Sequence, residues 1–266
     1  MAFSMVNQNL DILADRVADL ILSAKRIVVF TGAGVSTESG IPDFRSPGGI
    51  WDRFDPDDFT YHKFITDPEA RRKQWQMLRE GLLTTEAKPN PAHYAIAELD
   101  RLTKLDCVIT QNVDNLHQKA GVADDKVFEL HGNMQWAVCL SCGKRYPFEQ
   151  VKARLDKGEE IPDCQACHGL LKPAAVFFGE SLPQKVLKEA TSRSYNCNLF
   201  IVIGSTLVVY PAAYMPIYAT NSGAKLVIIN LSSTPMDREA TVLIRARAGE
   251  TMSKVLQRVR EKIQIV

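Results

Sequence analysis

Short, unbroken runs of apolar and β-branched residues recur along the chain, and each predicts a strand buried on both faces. The runs occupy residues 27–30, 107–109, 127–128, 175–178, 199–203 and 226–229. Apolar residues with helical spacing lie between several of these runs. Because strands that alternate with helices pack as a parallel sheet with helices on its faces, the pattern predicts an α/β fold.

Helices are indicated by spacing or by capping residues. Near the start of the chain, apolar residues recur at alternating steps of four and three and would form one helix face: Val6, Leu10, Leu13, Val17, Leu20 and Ala24. A second helix begins at Asn90-Pro91, since Asn caps well and Pro suits the first helical position. A third runs from Gln184. The last carries an apolar face formed by Met252, Val255, Leu256, Val259 and Ile263.

Two stretches break this alternation. Residues 47–88 are rich in aromatic and charged residues and predict a helical insertion, and residues 134–172 hold four of the six cysteines. The predicted organisation is a sheet domain made of residues 1–46, 89–133 and 173–266, with a small domain made of the two interruptions. A ligand is expected in the cleft between them.

The composition is that of an ordinary soluble globular protein and excludes a disordered chain. Among 266 residues, 32 are basic and 31 acidic, so the formal charge is +1, with 24% charged and 45% hydrophobic residues. This balance argues against direct, bulk electrostatic binding to nucleic acid or to a membrane surface.

The longest uncharged stretch lies between Arg193 and Lys225 and is interrupted by Gly204, Pro211 and Pro216. We interpret it as a buried strand, a turn and a short helix rather than a membrane span. The first residues contain no basic segment followed by an apolar run, so no signal peptide is expected. The expected location is the cytoplasm, with reduced thiols.

A glycine-rich turn follows the first predicted strand. Gly32 and Gly34 lie where this strand would pass into a helix, and glycines there let the backbone approach a phosphate group. The third glycine of the dinucleotide-binding fingerprint is replaced by Thr37, so a simple tight turn stays an alternative. The next loop, residues 40–45, displays an acid, an aromatic ring and a guanidinium that could close over a ligand.

Four of the cysteines form two closely spaced pairs: Cys139 with Cys142, and Cys164 with Cys167. Four thiolates bind zinc tetrahedrally and leave no position open, so the predicted site is structural. Unrelated thiols, a redox pair, and His168 as a substitute ligand are the alternatives. The remaining Cys107 and Cys197 lie in or beside apolar runs and are expected in the core.

Polar residues cluster after two other predicted strands, where parallel sheets bind their ligands. Residues 110–117 bring amides, hydroxyls, an acid and a histidine together, and His131 follows Glu129 at the second strand end. Histidine transfers protons near neutral pH. Asn112 and Asp114 could instead cap the next helix, and a lone histidine could be structural.

Taken in order, these motifs resemble those of the sirtuins, which are NAD-dependent protein lysine deacylases. The resemblance extends from about residue 27 to residue 250 and rests on the two cysteine pairs and on residues 32–36, 40–45, 110–114, 131–132, 178–180 and 204–206. It implies a Rossmann-type parallel sheet and a small domain made of a zinc ribbon and the helical insertion. It also implies NAD as a co-substrate that is cleaved, and one structural Zn²⁺ per chain.

The resemblance further implies site residues. NAD would contact glycines, amides and acids from several strand ends: Gly32, Ala33, Gly34, Thr37, Asp43, Phe44, Arg45, Gln111, Asn112, Val113, Asp114, Gly204, Ser205, Thr206, Asn230, Leu231, Arg247 and Ala248. His131 would be the general base on a ribose hydroxyl, and Asn112 would position the reacting ribose. An acetyl-lysine peptide would lie as an extra strand against Val176, Phe178, Gly179, Glu180 and Val209.

The resemblance also predicts a preference among acyl groups. Sirtuins that favour succinyl or malonyl groups carry a Tyr-x-x-Arg pair, and residues 47–88 contain none, since Gln76 stands three positions before Arg79. The expected activity is therefore deacetylation, in which the acyl group passes from lysine to ADP-ribose and nicotinamide is released. Longer neutral acyl chains and mono-ADP-ribosyl transfer stay open as alternatives.

Two other classes of protein share part of the pattern. A conventional NAD dehydrogenase has the glycine turn but does not need the polar cluster at residues 110–117. A zinc-ribbon binding protein has the four cysteines but leaves the polar strand ends without a purpose. Turnover of NAD with an acetyl-lysine peptide would distinguish both from a sirtuin.

Overall fold

The structure is a computed structural model that describes residues 2–81 and 87–264, with side chains described from residue 10 onward. The side chain of Val6 and residues 82–86 of the predicted insertion lie outside the described residues. The helices are α1 (Ala2–Ser23), α2 (Tyr61–Thr66), α3 (Pro68–Arg79), α4 (Pro91–Arg101), α5 (Leu116–Ala120), α6 (Phe148–Asp156), α7 (Gln184–Asn196), α8 (Tyr214–Asn221) and α9 (Ala248–Gln264). The strands are β1 (Ile27–Thr31), β2 (Leu105–Thr110), β3 (Val127–Glu129), β4 (Gly132–Cys139), β5 (Arg145–Pro147), β6 (Leu171–Ala175), β7 (Leu199–Ile203), β8 (Lys225–Ile229) and β9 (Val242–Ile244).

The larger sheet is parallel throughout. Within the described ranges it holds six strands in the order β3-β2-β1-β7-β8-β9. The strand order reverses between β1 and β7: β2 and β3 follow on one side of this pair, and β8 and β9 follow on the other. Ligands of open α/β sheets bind outside the carboxyl ends of the strands at such a reversal. The predicted α/β fold with a Rossmann-type sheet is confirmed.

Helices cover both faces of this sheet, and the side chains of β1 alternate between the faces. Ile27 and Val29 pack in a core with α1, α4 and α9, whereas Val28 and Phe30 pack in a core with α7 and α8. All four side chains are fully buried. This burial on both faces explains why the strand is an unbroken apolar run in the sequence.

A second, antiparallel sheet carries the cysteine-bearing segment. Its strands run in the order β5-β4-β6, and α6 packs on β4. The core of this unit also receives side chains from α3, since Trp75 and Met77 belong to the same buried cluster as Met134 and Tyr146. The helical insertion and the cysteine-bearing segment therefore share one core.

The strand predicted at residues 175–178 is wrong in both extent and partner. β6 ends at Ala175, and it pairs with β4 in the small sheet rather than with the parallel sheet. The chain leaves the strand because the backbone of Phe178 bonds to the insertion instead, to the Phe59 carbonyl and the Tyr61 amide. Strands β4, β5 and β9 have no counterpart in the prediction.

No helix in the described part of the chain is both long enough and apolar enough to cross a membrane. The uncharged stretch after Arg193 forms the end of α7, then β7 and α8, as its interruptions predict.

Candidate active site

One cavity of about 860 Å³ lies over the carboxyl ends of β1, β2 and β7, and residues of both sheets and of the insertion line it. His131 lines it as well. The lining contains the whole predicted nucleotide set, namely Gly32, Ala33, Gly34, Thr37, Asp43, Phe44, Arg45, Gln111, Asn112, Val113, Asp114, Gly204, Ser205, Thr206, Asn230, Leu231, Arg247 and Ala248. It also contains the predicted peptide set, namely Val176, Phe178, Gly179, Glu180 and Val209. The fold thus brings these residues together, and their roles toward ligands stay predictions.

The glycine turn packs directly on the turn that follows β7. The Gly34 amide donates to the Gly204 carbonyl over 2.9 Å. A Cβ on Gly34 would lie 2.8 Å from the Gly204 Cα, and a Cβ on Gly204 would lie 2.2 Å from the Val35 nitrogen. After the turn the chain continues as two short 3₁₀ turns, Ala33–Val35 and Thr37–Ser39, rather than as a long helix. The glycines are needed for contact between two backbone turns, whatever else they approach.

Asp43 orders the loop that follows. Its carboxylate accepts the amides of Arg45 and Ser46, over 2.9 and 2.7 Å, and the Ser46 hydroxyl over 2.6 Å. Burial raises the pKa of Asp43, but these hydrogen bonds outweigh burial and hold the pKa below its usual value. The Phe44 ring lies 5.2 Å from the ring of Trp51, centroid to centroid, which supports it at the cavity wall.

The amides of Gln111 and Asn112 tie the end of β2 to both neighbouring turns. Gln111 Nε2 donates to Ser205 Oγ over 2.8 Å. Asn112 Nδ2 donates to the Gly32 carbonyl over 3.2 Å and to Ser36 Oγ over 3.1 Å. Since both N–H groups of the Asn112 side-chain amide donate within the protein, Asn112 would meet a ligand with its side-chain carbonyl oxygen.

Ser36 is the centre of a buried network beneath this cluster. Its Oγ donates to Asp114 Oδ2 over 2.7 Å and lies 3.5 Å from His93 Nε2. Because the backbone amide of Asn90 donates to His93 Nδ1, the proton of the neutral imidazole lies on Nε2 and faces Ser36. Burial lowers the pKa of His93 to about 4, with Asp114 opposing the shift. The other Asp114 oxygen accepts the Leu116 amide over 2.9 Å, so Asp114 also bonds the first amide of α5, although the N-cap position of this helix is Asn115.

His131 lies half-buried in the cavity lining with one ring nitrogen available. Its Nδ1 is 3.0 Å from the Gln111 carbonyl, and a carbonyl can only accept, so Nδ1 carries the proton and Nε2 carries the lone pair. Burial lowers the pKa of His131, and the hydrogen bond to Gln111 opposes this more weakly. The imidazole is therefore neutral at pH 7 and suited to act as a base.

Residues 176–180 form another wall of the cavity, and we name them the peptide segment. The first amide of the segment donates to the His131 carbonyl over 2.8 Å, and both backbone groups of Phe178 bond to the insertion. The Glu180 carboxylate turns to Lys172, whose Nζ lies 3.1 Å away. A contact between Glu180 and a peptide therefore stays a prediction.

Helix α3 lines the cavity with Gln74, Met77 and Leu78. Gln76 and Arg79, the two residues compared with a Tyr-x-x-Arg pair, are exposed and do not line the cavity. That comparison takes the wrong face of α3, because burial against the small sheet decides which side of the helix turns inward. Of its described residues, α3 presents an amide and two apolar side chains to the cavity, and none of these carries a positive charge that would pair with an acyl carboxylate.

Residues after β8 and before α9 line a further part of the cavity, and Arg245 holds them in place. Its guanidinium donates to the Asn230 carbonyl over 3.1 Å and pairs with Asp237. Arg245 is thus used within the protein, whereas Arg247 lies in the lining.

The four paired cysteines converge at one point of the small unit. Their sulfur atoms all lie within 4.8 Å of one another, with 3.5 Å between Cys139 and Cys167 and 3.6 Å between Cys142 and Cys164. Zinc held by four thiolates at about 2.3 Å separates the sulfurs by about 3.8 Å. The cluster therefore fits a closed, structural zinc site.

The surroundings favour the thiolate at two of the four cysteines. The Cys142 amide, with that of Ser141, lowers the pKa of Cys139, and the Tyr146 hydroxyl, 3.2 Å from the Cys164 sulfur, lowers the pKa of Cys164 to about 6. Deprotonated thiols are the form that binds metal. At Cys167 the Gly169 amide lowers the pKa, but hydrogen bonds with Cys142 and Cys139 raise it to about 12.

The other candidates among the thiols and imidazoles lie elsewhere. His168 is bonded to Asp163 over 2.8 Å, and its side chain is 81% exposed, so it is not part of the cluster. Cys107 and Cys197 are buried in the core, as predicted.

The comparisons with known proteins agree with this geometry. The model of the Sir2 family matches residues 32–211, which is more than half of the chain. The chain belongs to the Sir2 family. The sirtuin resemblance of the sequence motifs is thereby confirmed.

Two curated relatives of this Sir2 family member are named as NAD-dependent protein deacetylase or deacylase. "NAD-dependent protein deacetylase 1" of Pyrobaculum aerophilum is 47% identical over 247 residues, which cover 92% of this chain and 94% of the relative. "NAD-dependent protein deacylase 2" of Archaeoglobus fulgidus is 43% identical over 247 residues, covering 92% and 95%.

Solved Sir2 structures share the fold. One is described as Sir2 with a p53 peptide and NAD⁺; it has a TM-score of 0.83 and 41% identity, and the match covers 94% of this chain and 98% of that one. Another, described as Sir2 with a deacetylated p53 peptide and 3′-O-acetyl ADP-ribose, has a TM-score of 0.85 and 42% identity, covering 91% and 96%.

Three residues that organise this Sir2 site were missed as site residues in the sequence: Ser36, His93 and Lys172. Ser36 lies in the glycine motif, but the motif by itself indicates no role for its hydroxyl. His93 is the third residue of a helix capped by Asn90, where a side chain returning to the cap is expected, and that was the available signal. Lys172 stands alone among apolar residues before Pro173, which is itself a signal, because lysine is rarely buried without partners.

Proposed function

We propose that this protein is an NAD-dependent protein lysine deacetylase. The observation that carries the proposal is one cavity in which the glycine turn, the Asp114 carboxylate and the free Nε2 of His131 meet the peptide segment. The names of its relatives support the same activity.

NAD would occupy the part of the cavity built by the large sheet. The turns at Gly34 and Gly204 would approach the phosphates, and Asp114, oriented by Ser36, would accept from the carboxamide of nicotinamide. The carbonyl oxygen of Asn112 would position the ribose. This division of roles is supported by the hydrogen bonds that hold each group at the cavity surface.

The chemistry begins at the anomeric carbon of the ribose. The acyl carbonyl oxygen bonds to this carbon while the bond to nicotinamide breaks, and nicotinamide leaves with the electron pair. His131 Nε2 then takes the proton of a ribose hydroxyl, whose oxygen attacks the imidate carbon. The lysine amine takes up a proton and leaves as its bond to the acyl carbon breaks, and water adds to that carbon. The bond between the acyl carbon and the anomeric oxygen then breaks, which leaves a hydroxyl on the anomeric carbon and gives O-acyl-ADP-ribose beside free lysine. Holding both reactants in one cavity supplies proximity and excludes competing water.

We also propose that residues 47–88 and 134–172 act as one small domain beside the sheet domain of residues 1–46, 89–133 and 173–266. The shared core of α3 and the cysteine-bearing segment supports this division. Cys139, Cys142, Cys164 and Cys167 would hold zinc, which serves as a structural cross-link there.

The partner is an acetyl-lysine protein or peptide, bound through its main chain at the peptide segment. The near-neutral charge supports a protein that binds neither nucleic acid nor membrane. A cytoplasmic location is supported by the thiols, because all six are free and four are grouped for metal.

The decisive experiment incubates the protein with NAD and an acetyl-lysine peptide and follows nicotinamide, peptide and nucleotide by mass spectrometry. We expect nicotinamide, deacetylated peptide and O-acetyl-ADP-ribose in equal amounts. His131→Ala should lower turnover by a factor of about 10² to 10⁴. NADH formation, or ADP-ribose attached to protein without deacetylation, would contradict the proposal, and the second result would favour mono-ADP-ribosyl transfer.

A further inference from the structure

Lys172 is buried to an unusual degree for a lysine. Its side chain is 3% exposed, whereas the other lysines in described ion pairs keep between 27% and 36% of their side chains exposed. A buried ammonium group is unfavourable unless each of its three donors finds an acceptor. The positions of those acceptors therefore show which part of the chain Lys172 fixes in place.

Every partner of Lys172 belongs to the peptide segment or to the residues that lead into it. Its Nζ donates to the carbonyls of Pro173 and Ala175, over 2.9 and 2.5 Å, and lies 3.1 Å from Glu180 Oε2. The same Nζ lies 4.4 Å from the ring centroid of Phe177. One ammonium group thus contacts the end of β6, at Ala175, and two residues of the turn that follows it, Phe177 and Glu180.

Glu180 also forms a hydrogen bond within this turn. Its Oε2 accepts the Phe177 amide over 3.0 Å, in addition to facing Lys172. Outside the turn, the first amide of the peptide segment is bonded to the His131 carbonyl. The segment that would receive a peptide therefore joins the general base at one end and the Lys172–Glu180 pair at the other.

A buried ion pair is a weak source of stability, since apolar side chains of similar size stabilise a core as well or better. Its stronger effect is to select one conformation of the groups around it. Residues 176–180 follow a strand without continuing it, so their backbone needs such a constraint.

We propose that Lys172 is a positioning residue for acyl-peptide binding, which holds the peptide segment in the conformation that pairs with the substrate main chain. The proposal rests on the proposed function. Lys172 touches neither the predicted NAD residues nor the reacting atoms, so its loss should weaken the peptide site and leave the NAD site intact.

The test measures steady-state kinetics of Lys172→Met with the acetyl-lysine peptide and NAD varied separately. We expect the peptide KM to rise about tenfold, as loss of a charged hydrogen bond would produce. The NAD KM and the kcat at saturating peptide should stay within about twofold. Lys172→Arg, which keeps the charge, should restore most of the peptide KM.

Lys126→Met is the matched control, because Lys126 also pairs with an acid and a carbonyl but lies outside the cavity lining. It should lower thermal stability without separating the two KM values. An unchanged peptide KM in Lys172→Met, or equal changes in both KM values, would overturn the proposal.

If Lys172→Met does not fold, Lys172→Gln decides, since an amide keeps donors for the carbonyls of Pro173 and Ala175 and removes the charge that faces Glu180. A raised peptide KM with an unchanged NAD KM supports the positioning role, and no change overturns it. A wild-type protein that binds NAD but never deacetylates the peptide would instead overturn the proposed function, and this inference with it.

Discussion

Three histidines around the candidate active site share one electrostatic property: burial lowers the pKa of each. The pKa of His93 falls to about 4, that of His117 falls well below its usual value, and that of His131 falls as well. In each case the protein has removed water that would solvate an imidazolium. At neutral pH the three rings therefore act as neutral hydrogen-bonding groups, and only His131 has its lone pair free in the cavity.

The pH dependence of the reaction follows from this property of His131. The general base must be neutral, so activity is lost as the pH falls through the pKa of His131 in the folded protein. Because burial lowers that pKa, the loss should occur below the usual value for histidine, about 6.5. The measurement is kcat/KM for the acetyl-lysine peptide between about pH 5 and pH 8.

The exposed His62 provides the control for this profile. His62→Ala should reproduce the wild-type pH dependence, since His62 does not line the cavity. An acid limb centred above about pH 6.5 in the wild type would contradict the assignment of a neutral, buried base.

At the residue scale, the sequence predicts which side chains have suitable chemistry better than it predicts their hydrogen-bond partners. His131 and Asp114 can be selected because a base and an acid stand at strand ends. The role of Ser36 follows from a contact over long sequence separation, since Ser36 meets Asp114, 78 positions away. The partners of Lys172 are close in sequence, but only the fold of the turn after β6 brings them to one ammonium group. No local pattern records such contacts.

At the scale of secondary-structure elements, the centre of the site is a contact between two turns. The turn after β1 and the turn after β7 approach so closely that neither Gly34 nor Gly204 has room for a Cβ. The backbone of Gly204 also has a φ of +64°, which favours glycine. This contact fixes how the two halves of the parallel sheet meet at the cavity.

Gly204→Ala should therefore destabilise the protein strongly. The new Cβ would lie 2.2 Å from the Val35 nitrogen, so one turn must shift, and we expect the free energy of unfolding to fall by about 3 kcal/mol or more. Urea unfolding followed by circular dichroism measures the change.

Gly223→Ala is the control for this substitution. Gly223 also has a positive φ, +87°, but no atom lies within 4 Å of the position that a Cβ would take there. The variant should lose only about 1 kcal/mol, the effect of backbone strain alone. Equal losses in the two variants would show that the close contact between the turns has no energetic weight.

The elements themselves were predictable where one force dominates. The four central strands of the parallel sheet, β2, β1, β7 and β8, are buried on both faces, and their apolar runs are visible without any structure. Strands β4, β5 and β9 escape prediction because β5 and β9 span only three residues and the buried positions of β4 form neither an unbroken run nor a regular alternation. β6 ends early because hydrogen bonds from the insertion redirect the chain after Ala175.

At the scale of the whole molecule, the small unit connects metal binding to the cavity. Cys139 and Cys164 belong to the same buried cluster as Met77 and Met134. Those two methionines line the cavity. Loosening the cysteine cluster should therefore disturb the substrate site as well as the fold of the unit.

Removal of zinc tests this connection. We expect one zinc per chain by elemental analysis, and a strong chelator should lower the thermal midpoint by more than about 5 °C. Activity should fall in parallel and return when zinc is added. A folded, active protein without metal would contradict the structural role of zinc.

A pair of cysteine variants separates metal binding from packing. Cys142 is exposed and Cys107 is fully buried, so packing alone predicts that Cys142→Ala is the milder change. If Cys142 binds zinc, its loss should instead abolish stoichiometric zinc and unfold the small unit. Cys107→Ala should keep its zinc and lose stability through a small cavity.

The sequence by itself determined the fold class, the metal site and the chemistry of the strand ends. These features depend on short-range patterns: burial makes strands apolar, tetrahedral zinc needs paired thiols, and parallel strands place their carboxyl ends at one edge. Such patterns are complete within a few residues, so they can be recognised without coordinates.

Only the tertiary structure decided which face of α3 turns to the cavity, which nitrogen of His131 is free, and which acid Lys172 meets. The first two depend on groups that are distant in sequence and become neighbours when the sheet, the insertion and the small sheet pack together. The third depends on the fold of the turn after β6, which brings Glu180 back to Lys172. A buried polar group must find its partner wherever the fold provides one. The conformation of the peptide segment, and with it the proposed role of Lys172, is a property of that packing.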